Sequence, residues 1–410
     1  MTAVLSQALR AAIDEPVAAA CAARYGRDLR AVVVTGSLAR DEVAAREDGG
    51  RRRLLGDAEF LLVFHVAARL PDAAGIERLG HQVEESLTSH GLEARVSLGC
   101  VHPSYLTRLA PHFFAYELKA CGRVVWGDRD VLALIPAFSA ADIPLDDAWR
   151  LLCNRMIEQL ESVQDLDDPY AALRSRVPYP TIKLYLDMAT SYLVFAGAYE
   201  PSYRARAQAL CRLADAGRGS DDAPFPLAGF AGRVAACTEA KLSGLGGEGL
   251  PVRTAEDRLD FWRASLGDAH ALWRWELRRL TCLDAHASDR ALWERWMVRQ
   301  PLAEKVRGWL SMLRRAERVG GWREHARWAC RVWRGSPRHW VYAAASELCF
   351  RLPSVILPAG AADAHADWGD VFRLLPARRP EARAAARPRW QALASDVLWN
   401  YRRFLTETRA

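Results

Sequence analysis

Two carboxylates two positions apart head an apolar run, Asp57-Ala58-Glu59-Phe60-Leu61-Leu62-Val63-Phe64, and no residues of the chain are better placed to do chemistry. In an extended strand side chains alternate between faces, so Asp57 and Glu59 project from one side, close enough to hold one hard cation between them. Like charges sharing a strand face repel, and a cation is the simplest compensation. Upstream, the apolar run Val32-Val33-Val34-Thr35 ends in Gly36-Ser37. A Gly-Ser turn that feeds a helix offers backbone N–H groups and a hydroxyl to a phosphate. Together the two features read as apparatus for metal-assisted nucleotidyl transfer.

This order, an apolar strand ending in Gly36-Ser37 and then a strand opening Asp57-x-Glu59, resembles the nucleotidyltransferase domain of the DNA polymerase β-like superfamily. The resemblance implies Mg²⁺-dependent transfer of a nucleoside monophosphate from an NTP, with ATP the expected one, to a hydroxyl on a small molecule or protein. It assigns Asp57 and Glu59 as metal ligands and gives Gly36 and Ser37 the phosphates. Magnesium takes oxygen ligands and keeps several waters, so two or three protein carboxylates suffice. Active members usually carry a third carboxylate on a later strand. The matching run here is Glu93-Ala94-Arg95-Val96-Ser97-Leu98, whose alternation puts Glu93, Arg95 and Ser97 on one face. Glu93 is therefore the candidate for that position. Ser37 and Asp57 lie 20 positions apart, longer than is usual in the family, and a loop from Arg46 to Gly56 carrying Arg51-Arg52-Arg53 absorbs the excess.

Two further segments extend the resemblance to about residue 215. Phe114 to Asp128 is similar to the closing element of many bacterial small nucleotidyltransferase domains. Tyr179 to Tyr203 is similar to the first long helices of the all-α domain often fused behind them, and by that analogy Lys183 contacts the triphosphate. The alternative is a catalytically weak or inactive protein of the same fold, acting as a nucleotide-binding, regulatory or interaction module. A nuclease-like helical domain, marked by Arg-x(4–6)-His, is a third reading. Arg334 to His339 and Arg318 to His325 have such spacings, which chance readily supplies in so arginine-rich a chain.

The elements that must position these residues alternate through the first third. The pattern predicts a helix around residues 3 to 25 interrupted by Pro16, a strand at Arg30 to Thr35, a helix from Leu38 to about Arg46, and a polar loop from Glu47 to Gly56. A strand at Asp57 to Val66 follows, then a helix from Pro71 to about His90, a strand at Ala94 to Val101, a helix near Tyr116-Glu117-Leu118 and a short strand at Gly122 to Gly127. Beyond Pro144 strand signals nearly vanish. The expected class is α+β: a small mixed-sheet nucleotidyltransferase domain over 1–140, a helical domain over 141–250, and a Trp/Arg-rich helical domain over 251–410. Gly244 to Gly249 follows a helix rather than a strand and reads as a loop. Thirteen of the 15 tryptophans fall at Trp262 or later, among them Trp293, Trp296, Trp322, Trp328, Trp333 and Trp340. Their spacing fits packing between helices better than a base-stacking surface.

Length and composition bound the rest. With 410 residues, half of them hydrophobic and 26% charged, the chain has room for two or three globular domains. The stretch from Met1 to Ala23 reads as an amphipathic Ala-rich helix rather than a signal peptide. Leu184 to Tyr199, the longest apolar segment, contains Asp187 and is too short to span a bilayer, so no membrane is expected. The nine cysteines include no Cys-x-x-Cys pair, which argues against a zinc site or a disulfide framework and for a cytoplasmic setting. The net charge is +6, but only Lys119, Lys183, Lys241 and Lys305 are lysines among 56 basic residues. That skew reads as GC-rich coding rather than phosphate binding, and the arginines from Arg378 to Arg389 as a solvated face. The expected partners are a nucleotide and an unidentified acceptor, with nucleic acid not favoured.

Overall fold

The computed structural model describes residues 2–48, 51–164, 166–217, 222–316, 328, 331, 333–357, 371, 374–375 and 386–402. Trp322, Arg318, His325 and most of the arginines between 378 and 389 lie outside the described residues. The chain is α+β and divides into two compact units. One comprises Met1–Asp147, Ala196–Arg218 and Ala231–Leu250, and the other Ala148–Phe195, Gly219–Phe230 and Pro251–Ala410.

The first unit is built on a five-stranded mixed sheet: β1 (Leu29–Thr35), β2 (Ala45–Asp48), β3 (Arg51–Phe64), β4 (Leu92–Val101) and β5 (Arg123–Gly127). β3 is the longest at 14 residues. Along one edge its first half pairs with β2 and its second half with β1, both antiparallel, while β4 runs parallel along the other edge. β5 pairs antiparallel with the free side of β1. Alternation sends Val32, Val34, Phe60, Leu62 and Phe64 to one face, where α1 (Thr2–Tyr25) and α3 (Ala73–Ser89) cover them. Ala31, Val33, Leu61 and Val63 face the other way, against Leu106 of α4 (Pro103–Thr107) and Ala115 and Leu118 of α5 (Phe113–Cys121).

Three local expectations are corrected. The first helix runs unbroken past Pro16, because Ile13, Val17 and Cys21 recur every fourth residue and are fully buried. Their packing offsets a proline penalty of about 3 kcal/mol. The helix expected from Leu38 to Arg46 is a single turn, α2 (Gly36–Ala39), because Asp41 takes a left-handed φ of 59° and Arg40 and Glu42 are drawn into buried ion pairs. The polar segment 47–56 is a hairpin rather than a loop. Glu47 of β2 stands in register with Arg52 of β3, and Asp48 with Arg51, so the segment is a strand ladder rather than a loop.

The second unit is helical throughout its described residues. It takes most of α6 (Leu145–Gln164), then α7 (Pro169–Ser175), α8 (Tyr179–Phe195), α11 (Ala255–Thr281), α12 (Asp289–Arg299), α13 (Leu302–Ala316) and helices at Pro337–Phe350, Leu352–Ile356 and Ala386–Tyr401. α9 (Tyr203–Asp215) and most of α10 (Leu227–Leu242) belong to the first unit. A reciprocal cap starts α11: Asp257 N donates to the Thr254 hydroxyl and Thr254 N to the Asp257 carboxylate. Tryptophans supply its core. Trp149 packs edge-on against Trp296 at 5.4 Å between ring centroids, and Trp293 meets Trp340 at 6.2 Å, all four buried.

Candidate functional site

The candidate site begins where β1 ends. Val32, Val33 and Val34 are fully buried and fix the strand, and Thr35 pairs in register with Glu59 of β3. Gly36 then turns the chain at φ +64°, a conformation that side chains rarely adopt. A Cβ at this position would overlap the Oε2 of Glu59, so the turn and the Glu59 carboxylate share space that only glycine leaves open. Ser37 follows, half-buried, and its carbonyl accepts from Glu42 N at 2.9 Å.

Asp57 and Glu59 are both exposed, while Ala58 and Phe60 between and beyond them are buried. The strand is thus pinned from its apolar face and presents both carboxylates on the other. The register with β4 slips just before them: Arg53 pairs with Glu93, but Asp57 already pairs with Arg95. The extra residues on β3, which include Gly56 at φ +138°, form a bulge that aims the carboxylate pair. Arg95 consequently stands opposite Asp57, and Ser97 opposite Glu59.

Glu93 lies on the far side of that bulge, in register with Arg53, with its Oε1 3.8 Å from Arg51. Asp57 and Glu93 do line one open groove of about 410 Å³, together with Arg53, Arg95, Glu84 and Thr88. Glu84 is committed within the fold, its Oε1 accepting from Val96 N at 2.7 Å. Among the described residues no three His, Cys, Asp or Glu side chains gather closely enough to hold a metal ion. The donor set available to a cation is therefore two carboxylates on one exposed face, hard oxygens of the kind Mg²⁺ takes while keeping waters. Lys183 sits in α8 of the second unit, with its Nζ 3.8 Å from Glu158 and over the Tyr179 ring.

One turn beyond Ser37 lies a buried ionic network that the sequence pattern did not reveal. Arg40 donates to Glu42 at 3.0 Å and to Oε2 of Glu117 at 2.5 Å. Arg206 of α9, only 4% exposed, pairs with the other oxygen of Glu117 and donates to the Tyr199 hydroxyl at 2.9 Å. Tyr199 OH in turn donates to Glu117 at 2.6 Å. Glu42 accepts from Arg204 N at 3.2 Å, and Arg40, Arg206 and Lys241 all stand over the Tyr203 ring at 5.0 to 5.5 Å. Burial opposes the charge on Arg206, but Tyr199, Glu117, Tyr203 and Glu42 outweigh it and hold the guanidinium above its ordinary pKa. These bonds clamp the segment that follows Gly36-Ser37 to α5 and α9. The available signal was arginine and glutamate at positions of no apolar period, in a chain where arginine is everywhere.

Comparison with known proteins found no family model that matches the chain, and no curated protein and no solved structure similar to it.

Proposed function

We propose that the first unit binds a nucleoside triphosphate with Mg²⁺ and transfers its nucleoside monophosphate to a hydroxyl acceptor, in the manner of polymerase β-like nucleotidyltransferases. The observation that supports this most is the juxtaposition of Gly36 and Glu59: a side-chain-free turn at a strand end, with a carboxylate from the neighbouring strand directly against it. Gly36 leaves room for the Glu59 carboxylate beside the turn, and the Ser37 hydroxyl that follows can donate to phosphate oxygens. Asp57 and Glu59 would hold the cation. When bound, Mg²⁺ neutralises charge on the transferring phosphoryl group and eases deprotonation of the attacking hydroxyl. Arg95, opposite Asp57, adds positive charge beside the phosphates.

A second reading rests on that same arginine. On the strand beside the carboxylate pair the residues in register are Arg95 and Ser97, and neither can act as a carboxylate base. Nucleotide binding without transfer, serving regulation, follows if the base is essential. Thermal shift and titration calorimetry with each NTP and Mg²⁺ test the binding step, and the Asp57→Ala, Glu59→Ala double variant should abolish the response. Release of pyrophosphate separates transfer from binding alone. If no NTP binds with Mg²⁺ or Mn²⁺, both readings are wrong.

A further inference from the structure

The second unit carries an apolar stripe that its own fold leaves in water. Along α13, Leu302, Val306 and Leu310 recur every fourth residue and are 75%, 47% and 48% exposed. This spacing places them on one helix face over about 12 Å. The packed face adjoins the stripe: Trp309, seven residues on from Leu302, is buried and its indole N–H donates to Gly335 O at 2.9 Å, while Gly308 abuts Ser336 and Pro337. Val298, at the end of α12, is 55% exposed, and Trp333 is 88% exposed. Both belong to segments that touch α13 or its neighbours, since Lys305 donates to Val298 O and Gly335 abuts Met297.

The exposed charge on this surface is mainly positive, Glu294 just before it being paired with Arg290. From Arg295 to Leu310 every exposed residue is apolar or an arginine, the arginines being Arg295, Arg299 and Arg307. The one acid in α13, Glu304, is held by Arg150 at 2.9 Å. Exposed apolar residues at helical spacing, flanked by cations and accompanied by an exposed indole, have the composition of a helix that lies in a bilayer interface. A second copy of the chain fits less well, because a two-fold contact would set these arginines against themselves. Nucleic acid would engage the arginines and leave the stripe in water.

We propose that α13, with the end of α12, docks the protein on an anionic lipid surface, the apolar stripe entering the headgroup–acyl boundary and the arginines meeting acidic headgroups. No described helix is long and apolar enough to cross a membrane, and this mode of binding needs none. The proposal is independent of nucleotide binding.

Flotation of the full chain tests it, using phosphatidylcholine vesicles with and without about a third phosphatidylserine. Binding is expected to the anionic vesicles only, and to fall with added salt. Each of Arg295→Gln and Arg307→Gln should lower partitioning about fivefold. The Leu302→Ser, Val306→Ser, Leu310→Ser triple variant should lose binding altogether while keeping its unfolding midpoint and its response to NTP. The idea is overturned if the chain stays in solution at low salt, if neutral and anionic vesicles bind it alike, or if the triple variant still floats. Two further results also sink it: a concentration-dependent dimer in place of vesicle binding, dispersed by the triple variant, and a duplex-DNA shift in place of vesicle binding that needs the arginines but not the stripe.

Discussion

The carboxylate of Glu59 lies against the α-carbon of Gly36, and a single methyl group there would collide with it. Gly36→Ala therefore meets two penalties at once, the left-handed φ and the collision. We expect a loss of about 1 to 2 kcal/mol in urea unfolding, from the backbone conformation alone. Glu59 must also move, so the thermal shift with Mg²⁺ and NTP should disappear. An alanine variant that binds NTP like the parent would detach the turn from the site.

Arg95 offers a gain-of-function test. It occupies the strand position opposite Asp57, so Arg95→Asp adds a third carboxylate beside the pair without touching the core. Divalent-cation affinity should rise about tenfold or more, read by calorimetry with Mn²⁺, because the donor set gains a charged oxygen ligand. If transfer is limited by the missing base, pyrophosphate release should rise with it. Weaker cation binding in the variant would show that the pair does not hold a metal.

The parts of this arrangement that the sequence announces are those with a period or a special residue. Alternation in β3 put Asp57 and Glu59 on one face, and Gly36 marked the turn. What stayed hidden depends on partners distant in sequence. The β2–β3 hairpin brings Ala45 to Asp48 into register with Arg51 to Leu54, and one strand read alone looks like a polar loop. The offset of Glu93 from Asp57 arises from the bulge, and residue spacing within β4 carries no trace of a slip in β3. Likewise Glu117 and Arg206, 89 positions apart, carry no mark of each other until both are folded.

Glu117 is the shared acceptor of two buried arginines. Glu117→Gln would strand Arg40 and Arg206 with Glu42 as the remaining nearby acid in the network, and such uncompensated charge costs about 3 kcal/mol or more. Chemical denaturation should show this loss. Asp128→Asn, which breaks a part-exposed pair with Arg30, should leave the unfolding midpoint nearly unchanged.

The second unit buries an acid that has no ion-pair partner among the described residues. Glu276 is fully buried, and although Ser191 donates to its Oε1 at 2.5 Å, its Oε2 has no hydrogen-bond partner among the described residues. Burial pushes this carboxyl up to about 8 from an ordinary 4.5, with the Ser191 bond opposing. Between those two values the folded state keeps a proton that the unfolded chain has released. Stability therefore falls as pH rises from about 4.5 through about 8 and levels off above. Glu276→Gln removes that slope, and near pH 8 it should be the more stable protein by an amount on the order of a few kcal/mol. Thermal melts of both proteins across this range check it, and parallel curves would count against it.

β3 serves two different neighbours along its length, and its backbone should report them separately. From Glu59 to Phe64 it is flanked by β1 on one side and β4 on the other, with Phe60, Leu62, Val63 and Phe64 buried. From Arg51 to Leu54 its partner on the first edge is β2, and Leu54 alone is buried. Amide protons of the inner half should exchange with deuterium only on global unfolding, while those of the arginine half exchange through a low-energy local opening. The bulge before Asp57 is the boundary between the two regimes, so the carboxylate pair stands on the slow-exchanging side of a strand whose outer arm can come and go.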